Sequence, residues 1–429
     1  MKTRLLNVLN PYSGTLVGSV MAASAAEVQV TVEAAQCAWR EFRWSAPGER
    51  QALLEALADQ VTHRGEPLSQ LISAETGKTW IEARREVQAA QQLLRLYGEA
   101  ALTHQRELRP GLRYAPVGVV AVVTPFYAPL EVLCRQLGAA IAAGNAVVVK
   151  PSSKAPLAAA WLGQLAASAD WPGGLFSVLQ GAADTAATLV IHNINILSFT
   201  GRISTGLALK NASGLVRCLM LLGGQTSQIV MPDANLNDAT TQALADSFGS
   251  AGQRAPTLKN LYVHQNIYDD LLACLSARAT QLRLGDPTQA STTIGPVIDA
   301  AAAVAFESRI NRALAEGARC LVGGKRHGTL CQPTLLAAGP QALRPDPNGN
   351  AGPLLVIHGF DDPTSLIETL NVTPCAGTHQ TRLFTQDAAL VQRFARELQV
   401  EHLLVNQAKA QENLPAALQA MSQLREVSY

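Results

Sequence analysis

Thiols and imidazoles are the groups best suited to nucleophilic or metal chemistry, and this 429-residue chain carries seven cysteines and eight histidines. The cysteines stand at 37, 134, 218, 274, 320, 331 and 375, with no C-x-x-C pair. The histidines show no i, i+4 pair and no metal-ligand spacing, so no metal site is expected. Cys320, Cys331 and Cys375 adjoin no histidine that would generate a thiolate. Cys218, on a strand-like run, reads as a packing residue. Asp246 and Glu131 are single carboxylates on helical stretches and read as solvated or capping. The stretch with the clearest positional logic is Phe248-Gly249-Ser250-Ala251-Gly252-Gln253-Arg254-Ala255-Pro256-Thr257. It ends a helical run that begins near Leu236 and leads into a strand-like run from Lys259 to His264. Within it Ala255 offers only a methyl group, which is no nucleophile.

Composition narrows the classes. Hydrophobic residues make up 48% and charged residues 16%, enough for a large core and too apolar for disorder. The length suggests two or three domains. Net charge is +1, with Lys and Arg dispersed, which excludes a phosphate-backbone footprint and hence nucleic acid. An odd, scattered cysteine set points to reduced thiols and a cytoplasmic location. Lys2, Arg4 and the leucines after them mimic a secretory leader, but Asn7 and the turn at Asn10-Pro11 interrupt the apolar run, so none is expected. No run reaches the ~20 apolar residues of a membrane span. The nearest, 129–149, contains Glu131 and Arg135.

The elements that must position these residues change along the chain. Asn10-Pro11-Tyr12-Ser13-Gly14 is turn chemistry between two short strands. Helices are predicted for Ala26 to Phe42, from Pro47, from near Pro67, and then on to Leu102. From 116 to 231 strand and helix alternate, with apolar strands at Gly118–Thr124, Ala146–Lys150, Phe176–Gln180, Ile194–Phe199 and Leu215–Leu222. That pattern predicts a parallel sheet covered on both faces, a Rossmann-like α/β architecture. It contains neither G-x-G-x-x-G nor a P-loop. A second α/β unit follows, with helices at 266–282, 298–316 and 387–398 and strands near 259–264, 318–322, 333–337, 354–359 and 401–405. The domains are read as 1–225, 226–408 and a truncated segment 409–429.

From Phe248 to Arg254 the chain resembles the nucleophile loop of the aldehyde dehydrogenase superfamily, F-G-(S/N)-A-G-Q-R-C-T. The likeness is collinear over essentially the whole chain. It includes Glu75-Thr76-Gly77-Lys78 with Glu82-Ala83 and Glu86-Val87, then Thr124-Pro125-Phe126, Lys150-Pro151-Ser152, Phe199-Thr200-Gly201, Gly223-Gly224 and Gly352-Pro353. Arg113–Val122 and Gln180-Gly181 are most similar to succinylglutamate-semialdehyde dehydrogenases.

The resemblance implies a mechanism and also what this chain lacks for it. The family uses a Cys thiolate, an Asn amide for the oxyanion, a Glu general base, and carboxylates that grip the cofactor riboses. Here the thiol position is Ala255, followed by Pro256. The oxyanion Asn position is Tyr127 and the general-base position is Leu221. Lys150 is kept at the cofactor site, as a cofactor ligand or as a packed stem with a solvated head. The adenosine-ribose carboxylate is replaced by Ser153, and the pyrophosphate-facing Ser by Arg202. Gly349-Asn350-Ala351 stands where the nicotinamide-ribose carboxylate is expected. The resemblance thus implies weak NAD(P) binding or none. Residues 103–112 are a short remnant of the family's oligomerisation hairpin, and the C-terminal strand is expected to be reduced or absent. A monomer, or a dimer through a different surface, follows. Three functions remain open: a pseudoenzyme binding a small-molecule ligand or protein partner; a cyclase, isomerase or dehydratase with Tyr127 as acid or base; and an NAD(P)-dependent dehydrogenase with another nucleophile.

Overall fold

The computed structural model describes residues 4–104, 112–223, 225–255, 257–338, 352–372, 380–406 and 413–426. The chain divides into two compact units. One comprises Met1–Thr76, Trp80–Leu222 and Glu412–Tyr429; the other comprises Gly77–Thr79 and Gly223–Gln411.

In the first unit, β1 (Leu5–Leu9) and β2 (Leu16–Met21) pair antiparallel across the expected turn. There Asn10 Oδ1 accepts from the amides of Tyr12 and Ser13, the Asx-turn chemistry of that residue type. Four helices follow: α1 (Ala25–Phe42), α2 (Pro47–His63), α3 (Gly65–Thr76) and α4 (Trp80–His104). Ser24 and Glu27 close a capping box at the start of α1, and Pro47 sits in the first turn of α2. The short strand β3 (Leu112–Pro116) leads into β4 (Val119–Val123), α5 (Glu131–Ala142), β5 (Ala146–Lys150), α6 (Leu157–Ser168), β6 (Phe176–Val178), α7 (Ala183–Ile191), β7 (Ile196–Gly201), α8 (Ile203–Ser213) and β8 (Arg217–Leu222). These five strands, β4 to β8, form one parallel sheet in the order β6-β5-β4-β7-β8. Every residue of β4 and β5 is buried, as Val-rich strands covered on both faces must be.

The two glutamates of the Glu75…Glu86 phrase have a structural task. Glu75 accepts from the amides of Leu157 and Ala158 at 2.8 and 3.0 Å, and so caps α6 from a distance. Glu86 accepts from Leu130 and Glu131, the start of α5, at 2.9 and 3.3 Å. Each carboxylate satisfies helix N-termini that no local side chain serves. Burial pushes the Glu75 carboxyl from an ordinary 4.5 up to about 8; the two amide donors oppose this and the Glu86 charge adds to it. A pKa raised in the folded state means that the folded chain holds the proton more tightly. The resulting stability is complete below about 4.5 and is lost as pH rises through about 8. Glu75→Gln keeps one acceptor and cannot ionise. It should cost about 1 kcal/mol at pH 6 and flatten the decline between pH 6 and 9. Thermal melts that stay parallel for the two proteins across that range would show that Glu75 is ionised throughout.

The terminal segment belongs to the first unit. Helix α14 (Leu414–Ala420) and strand β18 (Ser422–Glu426) end it, with β18 antiparallel to β3. Where the sequence implied a C-terminal strand reduced or absent, a short strand of five residues is present. Helix-forming residues extend only to Ala420, and 422–426 pair with the chain's own β3. Asn145 donates to the Met421 carbonyl at 2.8 Å, His104 Nε2 lies 2.6 Å from Ser422 Oγ, and Arg217 donates to the Ser422 carbonyl at 2.6 Å. Of the proposed hairpin remnant, 105–111 lie outside the described residues, His104 closes α4, and Leu112 opens β3.

In the second unit the order is β9 (Gln225–Val230), α9 (Leu236–Phe248), β10 (Thr257–His264), α10 (Tyr268–Ala279), α11 (Ala300–Ala315), β11 (Arg319–Val322), β12 (Arg326–His327), β13 (Leu330–Cys331), β14 (Thr334–Ala337), β15 (Leu354–Phe360), α12 (Pro363–Val372), β16 (Gln380–Phe384), α13 (Ala388–Glu397) and β17 (His402–Val405). Seven strands form one sheet, β11-β14-β15-β10-β9-β16-β17, antiparallel only at β11. No described helix is long and apolar enough to cross a membrane.

Candidate functional site

In the first unit the candidate residues Tyr127, Lys150, Ser153, Arg202 and Leu221 lie at the carboxyl edge of the parallel sheet. Tyr127 follows β4, Lys150 ends β5 and Ser153 follows it, Arg202 follows β7, and Leu221 lies near the end of β8. In the order β6-β5-β4-β7-β8 the winding direction reverses between β4 and β7. An open α/β sheet binds its ligands at that edge and that crevice. Lys154 Nζ lies 5.6 Å from the Phe126 ring, which brings the loops after β5 and β4 together. Gln136 on α5 donates to Thr200 at the end of β7 at 3.0 Å.

The individual groups have distinct characters. Lys150 is buried, at 6% exposure, which excludes a packed stem with a solvated head. Burial pushes its ammonium down to about 8, with Asp184 partly offsetting the shift. It therefore stays mostly protonated at neutral pH and can meet a hydroxyl or phosphate. Ser153 is half-buried in a turn. Arg202 is exposed, accepts from Gly206 through its carbonyl at the start of α8, and makes no ion pair among the described residues. Tyr127 is buried against Phe126, their rings 6.1 Å apart edge to face. Burial raises its phenol, and the Glu131 charge raises it further, so the hydroxyl is neutral at any physiological pH. Such a group can donate a hydrogen bond but releases its proton only reluctantly. Leu221 is 63% exposed, an uncovered aliphatic side chain on an edge strand. Cys218, expected to be packed, is only half-buried; its Sγ lies 3.3 Å from the Val216 carbonyl and 3.6 Å from Ser213 Oγ.

The second unit holds the Gly-rich loop. Helix α9 ends at Phe248, and Ser250 and Ala251 then adopt left-handed conformations, at φ 51 and 52. Gly252 follows at φ 67. Each non-glycine residue there costs roughly 1–2 kcal/mol, so the surrounding contacts must impose the shape. Three anchors do so. Lys259, wholly buried on β10, donates to the Gly252 and Gly352 carbonyls at 3.0 and 2.7 Å. Gln253 donates to Ser250 and accepts from the Ile298 amide at 2.9 Å. Arg254 pairs with Asp246 at 2.9 Å, and Arg382 on β16 reaches the other carboxylate oxygen at 2.6 Å. Asp246 is therefore a buried ion-pair hub, not the solvated or capping group its helix position suggested. Glu131 pairs with Arg135 one turn on, at 3.0 Å. Ala255 is half-buried at the end of this held loop. Pro256, Gly349 and Cys375 lie outside the described residues. No group of three metal-ligating side chains occurs among the described residues.

A family model described as the aldehyde dehydrogenase family matches residues 1–417. The chain belongs to the aldehyde dehydrogenase family. It is 32% identical to 3-sulfolactaldehyde dehydrogenase of Priestia aryabhattai, over 94% of this chain and 87% of that one. It is 33% identical to the NADP(+) succinate-semialdehyde dehydrogenase of Escherichia coli, over 86% and 80%. Glyceraldehyde-3-phosphate dehydrogenase of Methanocaldococcus jannaschii, solved with NADP, superposes with a TM-score of 0.93 at 26% identity, over 99% of each chain. The aldehyde dehydrogenase fold expected from the sequence is thus the observed one.

Proposed function

We propose that this aldehyde dehydrogenase fold no longer oxidises aldehydes and instead binds a small molecule or a protein partner. One observation carries the reading: the Gly-rich loop keeps its strained shape and buried anchors, yet presents Ala255 where the family's thiol stands. Tyr127 and Leu221 occupy the positions of the oxyanion donor and the base, so three separate functions are missing. The ligand class favoured by the relatives' names is a short carbonyl acid of semialdehyde type, and the phrase at Arg113–Val122 favours succinylglutamate semialdehyde. Mass spectrometry of the purified protein should find such a small acid retained and unchanged by added NAD(P). Steady NADH formation in a clean preparation would overturn the reading.

A second reading has one observation in its favour. The neutral, buried Tyr127 phenol can donate a hydrogen bond that steadies a substrate oxygen in a cyclase, isomerase or dehydratase, although its raised pKa makes it a weak proton donor. Recovery of a rearranged or dehydrated metabolite, lost on Tyr127→Phe, would select it.

Cofactor affinity follows from the same positions. Two ribose carboxylates are replaced, at Ser153 and Gly349, and each charge-assisted hydrogen bond contributes about 1.5–3 kcal/mol. NAD binding weaker than ~1 mM is expected by calorimetry. A micromolar dissociation constant would mean that Lys150 and Arg202 compensate. The protein is proposed to be a monomer, or a dimer through a surface other than the family's, because only a few residues separate α4 from β3. A tetramer in light scattering would contradict that.

A further inference from the structure

The β3–β18 ribbon and the end of α1 border a cavity of about 190 Å³, lined by none of Tyr127, Lys150, Ser153, Arg202 and Leu221. Its chemistry is one-sided. Arg43, Arg113 and Arg425 line it with Trp39, Trp44 and Gln423, and the lining contains no carboxylate. Arg113 and Arg425 are direct cross-strand partners in the ribbon, so two like charges face each other on one side of it. Such a pairing is unfavourable unless something negative sits between them. None of the three guanidinium groups has an ion pair among the described residues. Arg43 is held between two indoles, its guanidinium carbon 5.1 Å from the Trp39 ring and 4.5 Å from the Trp44 ring. Arg50, 1% exposed, supports the lining residues Arg43 and Ser45 from within: it is bonded to Ser45 Oγ and to the carbonyls of Arg43, Ser45 and Ala142, and its own charge is offset by Glu49. Two donors, Trp39 Nε1 and Arg43 Nε, are buried with no acceptor among the described residues. Buried donors normally have one.

We propose that this cavity is an anion site, which takes a small polyvalent oxyanion, phosphate or carboxylate, free or as the head group of a metabolite. Unpaired guanidinium forks, orphaned donors and the absence of any acidic side chain select that chemistry. The cavity is smaller than the ~300–1,000 Å³ of pockets that engulf a whole drug-sized ligand, so only the charged group is held.

The test uses the full chain with inorganic phosphate or citrate as probe, at constant ionic strength set with chloride. Indole fluorescence and the melting temperature report binding. Both probes should give a saturable response, and the tighter one identifies phosphate or carboxylate as the preferred group. In the Arg113→Gln/Arg425→Gln variant the midpoint concentration should rise at least tenfold. Should that variant fail to fold, Arg425→Gln alone, at an exposed position, should raise the midpoint in the same direction. No saturable response to either probe would overturn the proposal. So would an unchanged midpoint in a folded variant, which would move the anion to another site such as Lys150.

Discussion

Ala255→Cys is expected to yield no steady NADH formation from any semialdehyde. The new thiol would sit on a loop whose shape is already held by Lys259, Gln253 and Asp246, so it should be present and open to alkylation. Its chemistry would still fail at two steps. On the proposed reading Tyr127, buried and bulky, stands at the position of the amide that would hold the oxyanion, and an absent donor of that kind typically costs about 10²–10³ in rate. Leu221 cannot activate water to release an acyl group, a task of about 10²–10⁴. Groups that act as a unit are strongly non-additive, so restoring one recovers little. The triple change Tyr127→Asn, Leu221→Glu and Ala255→Cys should exceed the single variant by about 10²-fold or more. It should still be limited by cofactor binding around Ser153 and Arg202. The assay is NADH formation on a panel of semialdehydes, with alkylation as the check on the thiol. Family-like rates from Ala255→Cys alone would mean that the parent is an enzyme inactivated at one position and not a repurposed fold.

Lys259→Met should cost about 2–3 kcal/mol and lower the melting temperature by about 5–10 °C. The variant keeps the stem of the side chain and removes the ammonium. Two effects compete. Burial disfavours the charge, as the strongly lowered Lys259 pKa shows, so its loss brings some relief. Against that, the carbonyls of Gly252 and Gly352 lose a donor that no water can replace at a fully buried position. The second effect is the larger because the ammonium also holds the left-handed turn at Ser250 and Ala251. Freed of it, those residues should relax toward ordinary backbone, and a protease should cut between 249 and 255 faster than in the parent. A melting temperature within about 2 °C of the parent would assign the loop's shape to Gln253 and Asp246 alone.

Much of this was legible in the sequence, and the exceptions have physical causes. The strands β4 and β5 are near-continuous Val and Ala, which only a doubly covered parallel strand requires, and their bounds fall where the apolar runs do. The turn at Asn10 was equally plain because its chemistry is local. Strands β9 and β16 were missed: Gln225 to Val230 and Gln380 to Phe384 mix polar and apolar residues and carry no run of their own. Helix α12, only ten residues long, was hidden for the same reason. Asp246 was misjudged because Arg382, one of its two partners, lies far along the chain, and single-residue reading cannot see such a pair. Glu75 and Glu86 were recognised as part of a signature, but their purpose was not. A carboxylate that caps a helix 82 residues away leaves no local pattern. Ala255, Tyr127 and Leu221 could be named from resemblance alone, whereas the buried, neutral state of Tyr127 and the exposure of Leu221 required the fold.

The ribbon of β3 and β18 has a consequence for biosynthesis. His104 and Ser422, hydrogen-bonded in the finished protein, are 318 positions apart, and all of the second unit except Gly77–Thr79 lies between them in the chain. Closing so long a loop costs little more free energy than closing a shorter one, since the penalty grows only logarithmically. The order of events is more tightly constrained. While the chain is emerging, β3 has no partner strand, and the side-chain amide of Asn145 lacks the Met421 carbonyl it will later bind. The larger part of the first unit must wait, nearly complete, until residues 413–426 have been synthesised. An edge left open for that time invites pairing with a neighbouring nascent chain, so yield on expression should depend on chaperone supply more than equilibrium stability alone would suggest.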